Sequence, residues 1–113
     1  MSAKQKFTMP KIYISGKITG LENASELFAE AELLLAEMGL QPVNPMKLDH
    51  NHDRTWEDYM KHDIKAMCDC SMIYMLTNWT ESRGAHIEHT LAQKIGMPVF
   101  YQADLINGNL NDY

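Results

Sequence analysis

The chain has 113 residues, of which 45% are hydrophobic and 22% charged, and its net charge is −5. That length carries one domain, residues 1–113, with a single modest core. The acidic balance excludes a general grip on a nucleic-acid polymer, which needs a basic surface, and no apolar run approaches the ~20 residues that span a bilayer.

The segment from Met1 to Pro10 has no apolar stretch of the secretory kind, so a cytosolic location is the default expectation. Lys11-Ile12-Tyr13-Ile14-Ser15-Gly16 is a short apolar run closed by glycine and reads as a first strand. Asn23 with Glu26 three residues on has the form of a capping box. Ala24, Leu27, Phe28, Ala31, Leu34, Leu35 and Met38 follow at helical spacing, and Gly39 closes that helix. Leu40 to Val43 is a second strand stopped by Asn44-Pro45, and Met46 to Arg54 is a polar loop. Thr55 caps a second helix that runs to about Met67. Ser71 to Leu76 is continuously apolar, as a strand buried on both faces requires. A third helix starts at Ser82 and continues to Ile95. Met97 to Tyr101 is a fourth strand, and the chain from Gln102 onward is polar and rich in asparagine.

Strand and helix alternate throughout, which predicts a parallel sheet with helices on both faces, an α/β/α sandwich. Ligands of such sheets bind beyond the carboxyl ends of the strands. The loops expected at that edge are Gly16 to Leu21, Asn44 to Thr55 and Thr77 to Arg83.

Two acids stand where the pattern asks for apolar residues. Wound at about 100° per residue, Gly84, Ile87, Leu91, Ala92 and Ile95 form one apolar arc of the third helix, and Glu88 falls near its centre. Asp63 lies likewise among Trp56, Tyr59, Met60 and Met67 of the second helix. An isolated buried carboxylate is costly or shifts its pKa upward, so a chain that keeps two is a candidate for using them. Paired acids across a cleft are the minimal equipment of glycoside chemistry. The plainer role for Asp63 is a cap or an ion pair with a lysine. Gly16-Lys17-Ile18-Thr19-Gly20 could cradle a phosphate at a helix start, or be a simple strand-to-helix turn. Tyr13 is a core aromatic by default, yet two residues before Ser15-Gly16 its phenol could reach a carboxylate at the sheet edge. The five histidines and two cysteines match no structural zinc spacing, so neither a metal nor a cofactor is expected. Cys68 and Cys70 are expected to be reduced structural thiols. The nine methionines fill the core or line a subunit interface.

Taken together, Tyr13-Ile14-Ser15-Gly16-Lys17-Ile18-Thr19-Gly20, Asn44-Pro45, Asp63 and Ser82-x-Gly84-x-x-x-Glu88 resemble the nucleoside 2-deoxyribosyltransferase superfamily. One branch of it comprises the deoxynucleoside 5′-monophosphate N-glycosidases. The likeness is strongest to small bacterial and phage members with a W-x-x-S-x-G-A-x-x-E-x-x-x-A signature, present here from Trp79 to Ala92. The resemblance implies a flavodoxin-like parallel sheet of four or five strands, the fifth absent or supplied by another subunit. It implies that Glu88 attacks the anomeric carbon and forms a glycosyl ester. Tyr13 would hold Glu88, and Asp63 would contact the sugar hydroxyl or assist the leaving base. Ser15, Gly16, Lys17, Ile18, Gly20, Asn44, Ser82 and Gly84 would bind substrate, and the protein would be a homodimer or higher homo-oligomer. Two positions depart from the pattern: Thr19 stands where the glycosidase branch has arginine, and Ser71 where an aspartate is frequent. For Glu88 to be an ionised nucleophile, the start of its helix and Tyr13 must outweigh burial. The alternatives are a nucleotide-binding or sequestering module without turnover, motivated by Thr19, and an interaction protein in which Glu88 pairs with a partner subunit.

Overall fold

The computed structural model describes residues 9–49 and 55–106. Four strands, β1 (Lys11–Ser15), β2 (Gln41–Val43), β3 (Met72–Met75) and β4 (Val99–Tyr101), form one parallel sheet in the order β2-β1-β3-β4. The connections carry α1 (Ala24–Glu37), α2 (Trp56–Cys68) and α3 (Arg83–Lys94), and α4 (Gln102–Ile106) follows β4. The architecture is the three-layer α/β/α sandwich that the alternation predicts.

The period-two geometry of the strands sorts the core into two layers. Ile12 and Ile14 of β1, with Tyr74 of β3 and the adjoining Leu76, meet Phe28, Ala31 and Leu35 of α1. Tyr13, Ile73 and Met75 point the other way, against Met67 of α2 and Ala85 and Ala92 of α3. The chain steps from β1 to β2 on one side and then crosses back over β1 to β3 on the other. That reversal puts α1 on one face and α2 and α3 on the opposite face. It also opens a crevice beyond the strand ends at the switch between β1 and β3.

Several local expectations change. Asn23 makes no side-chain cap bond: its backbone (φ −96°, ψ 22°) is already turning, whereas a cap needs an extended residue. Thr55 and Ser82 are extended, and their hydroxyls cap α2 and α3 by accepting from Asp58 N and Ala85 N. The buried face of α3 is Ala85, Glu88 and Ala92, narrower than the expected arc. Ile87 lies about 100° from Glu88 around the helix and is exposed, and Ile95 is exposed because α3 ends at Lys94. The polar loop after Asn44 begins with a 3₁₀ turn, Pro45–Lys47. The chain after β4 is helical because Leu105 packs on the core, while Gln102 Oε1 accepts from Thr77 N at 2.9 Å. Cys68 closes α2, and neither Cys68 nor Cys70 is in a disulfide. Among the described residues, no helix is long and apolar enough to cross a membrane, and no group of three or more His, Cys, Asp or Glu could hold a metal ion. His50 and His52 lie outside the described residues.

Candidate active site

At the carboxyl end of β1, between the turn after β2 and the starts of α2 and α3, lies a cleft of about 390 Å³, a size suited to a small ligand. Tyr13, Asp63 and Glu88 all line it, each from a different element. The sheet supplies Tyr13, α2 supplies Asp63 and α3 supplies Glu88. Asp63 and Glu88 are 8% and 4% exposed, so the two acids of the apolar helix faces converge on one crevice.

Both oxygens of Glu88 are engaged. Tyr13 OH donates to Oε2 at 2.9 Å and Ser15 Oγ donates to Oε1 at 2.7 Å. Glu88 therefore faces β1 of the same chain. Burial raises its pKa from the usual 4.5 to about 7; the Ser15 and Tyr13 hydroxyls pull it down, and the Asp63 carboxylate pushes it further up. The start of α3 gives no such help. Glu88 is the sixth residue of α3, and the field of a helix end fades within the first turn. Burial, with Glu88 and Asp63 close by, holds the Tyr13 phenol well above its ordinary pKa, so it remains a neutral donor.

Two glycines permit these elements to close up. A Cβ on Gly16 would stand 2.7 Å from Leu76 Cδ1 and 2.9 Å from Leu76 Cβ, and one on Gly84 would stand 2.9 Å from Met60 Sδ. Gly84 thus lets α3 approach α2, which carries Asp63 toward Glu88. Ser82 lines the cleft while capping α3.

Of the expected ligand residues, Gly16, Ile18, Ser82 and Gly84 line the cleft. Lys17, Gly20 and Asn44 do not. Lys17 is held by its backbone N–H on Asn78 Oδ1 at 3.0 Å, and its ammonium lies 3.6 Å from Glu81. Gly20 provides a left-handed turn (φ +76°). Asn44 Oδ1 accepts from Met46 N and its Nδ2 donates to Glu32, which fixes the turn that brings Pro45 and Met46 to the cleft wall. Ser15 is 1% exposed and faces Glu88 rather than the opening.

The cleft wall contains residues that the motifs passed over. Trp56 and Tyr59 from the first turn of α2 border it. The Arg83 guanidinium lies 4.1 Å above the Trp56 ring, a cation–π contact that ties the starts of α2 and α3 together. Their signal was position: aromatic residues on the first turn of a helix that starts at the ligand-binding edge. Asn78, which anchors the Gly16 loop across the switch point, had no signal in the pattern.

The family described as Domain of unknown function (DUF4406) matches residues 10–101. The chain belongs to that family. No curated protein sequence matches this DUF4406 chain. A solved structure that it resembles is the 2-deoxyribosyltransferase of the psychrotolerant bacterium Bacillus psychrosaccharolyticus, described as a biocatalyst for the synthesis of antiviral and antitumoral nucleosides. The two agree with a TM-score of 0.63 over 80% of this chain and 70% of the other, at 19% identity. The likeness is one of fold. The DUF4406 domain shares the layered sheet of that transferase.

Proposed function

We propose that this DUF4406 domain breaks the N-glycosidic bond of a nucleoside or a nucleoside 5′-monophosphate through a glycosyl ester on Glu88. The observation that carries the reading is a buried carboxylate on the cleft floor, oriented by two hydroxyls and flanked by a second acid. In the first step a Glu88 oxygen bonds to the anomeric carbon as the bond to the base nitrogen breaks. The electron pair leaves with the base, which takes up a proton from water. In the second step water, or a second base, attacks the same carbon, gives up a proton to the Asp63 carboxylate or to solvent, and releases Glu88 as a carboxylate. The product is free sugar or a new nucleoside, with configuration retained after two inversions. Trp56 and Tyr59 offer flat faces against which a base can pack, and Ile18 and Thr19 also line the cleft. Arg83, whose guanidinium lies over the cleft-lining Trp56, supports including phosphorylated substrates. No metal or cofactor takes part in this scheme.

The test is incubation of purified protein with ribo- and deoxyribonucleosides and their 5′-monophosphates, with free base followed by chromatography. Base release that Glu88→Ala abolishes is expected, and a second base added to the mixture separates transfer from hydrolysis. Acid quenching should trap protein heavier by one glycosyl unit. Folded protein that releases no base across the panel overturns the reading. If such protein still binds nucleotide by calorimetry, the domain is a sequestering module. The assembly proposed is a homodimer or higher homo-oligomer, supported by the exposed Leu33, Leu34 and Met38 on the outer side of α1.

A further inference from the structure

We propose that Ser15 is a positioning residue for Glu88, which it orients and helps to keep ionised, and that it is not a ligand of the substrate. Its consequence for turnover rests on the proposed role of Glu88; its effect on Glu88 itself does not.

The argument starts from strand geometry. Tyr13 and Ser15 are two apart on β1, so they project from the same face of the sheet. Their hydroxyls straddle the Glu88 carboxylate and take one oxygen each. The terminal torsion of a glutamate is soft, and a single donor would leave the carboxylate plane free to swing. Two donors on opposite oxygens fix it. The Ser15 bond, at 2.7 Å, is as short as hydroxyl-to-carboxylate bonds become. The strand beneath it is rigid: Ser15 pairs with Met75 in the middle of the sheet, and its carbonyl accepts from Leu76 N at 2.8 Å. With 1% exposure and its oxygen turned to Glu88, Ser15 has no surface to offer a ligand.

The electrostatic need is specific to this site. Burial and the Asp63 charge both favour the protonated form of Glu88, and only the Ser15 and Tyr13 hydroxyls favour the ionised form. Tyr13 is itself a neutral donor from β1. Among the described residues, these are the groups that face Glu88 from the sheet and from α2.

The test uses Ser15→Ala and Ser15→Thr in the full chain, with each fold verified by its amide spectrum. Glu88 is titrated directly by carboxyl carbon NMR, with Glu88→Gln assigning the resonance. For Ser15→Ala the Glu88 midpoint should move up by about one pH unit, the scale set by losing one hydrogen bond to a charged group. Ser15→Thr, which keeps the hydroxyl, should restore it. In the base-release assay, kcat of Ser15→Ala should fall about five-fold near neutral pH and recover in alkali, with KM unchanged. A Glu88 midpoint in Ser15→Ala equal to that of the wild type overturns the proposal. So does a raised KM with an unmoved pH profile, the signature of a substrate ligand. If the wild type releases no base, the titration still decides the role of Ser15, and the missing activity counts against the proposed function alone.

Discussion

Replacing Glu88 by glutamine removes a charge that the fold holds at a cost. In the unfolded chain Glu88 titrates near 4.5, and in the folded protein near 7. Below about pH 4.5 both states are protonated, and the group contributes no pH dependence. Between about 4.5 and 7 the folded state keeps a proton that the unfolded state has lost. Stability therefore falls as pH rises, by up to about 1.4 kcal/mol per pH unit. Above the folded pKa the whole penalty stands, on the order of 3 kcal/mol. Glutamine is neutral in both states and keeps an oxygen for one of the two hydroxyls. Glu88→Gln should match the wild type within about 1 kcal/mol near pH 5 and exceed it by roughly 2–3 kcal/mol near pH 8. Urea unfolding across that range, with the slope m held constant between variants, measures the difference. Two stability curves that run parallel would refute the reasoning, since Glu88 would then titrate alike in both states. The same substitution removes the proposed nucleophile, so a gain in stability with a loss of turnover is the expected pairing.

Asp63→Asn removes a like charge beside Glu88 and should lower the Glu88 midpoint, a direction readable by carboxyl carbon NMR; an upward move would refute it. Gly16→Ala forces a Cβ against Leu76 and should cost about 1–3 kcal/mol in urea unfolding, while an unchanged midpoint would show that β1 and β3 have room to part. Ser82→Ala deletes the cap on Ala85 N and should cost about 1 kcal/mol, measured in the same way. Size-exclusion chromatography with light scattering should find more than one chain per particle, and replacing Leu33, Leu34 and Met38 by polar residues should shift it to one.

The layered sheet was legible in the sequence because its two central strands are short apolar runs bounded by turn residues, and the period shifts cleanly between strand and helix. Glu88 and Asp63 were legible for a related reason. A charge at the centre of an apolar arc breaks the pattern that burial imposes, and the structure buries both. Ile87 and Ile95 were misread because hydrophobicity does not report where a helix ends or how wide a face its neighbours cover. Asn23 was misread as a cap because residue type says nothing of the backbone angle on which capping depends.

Local order along this chain follows from nearest neighbours: period, caps and turns are encoded within a few residues and need no distant partner. The partners of Glu88 are of another kind. Ser15 lies 73 residues from it and Tyr13 lies 75, and only the pairing of β1 with β3 and the packing of α3 across them bring these groups within bonding distance. The same packing decides that Lys17 and Asn44 brace loops rather than line the cleft. It also sets the balance of burial against two hydroxyls that leaves Glu88 near pH 7, because desolvation depends on the surrounding three-dimensional atom density, which no local stretch of sequence contains.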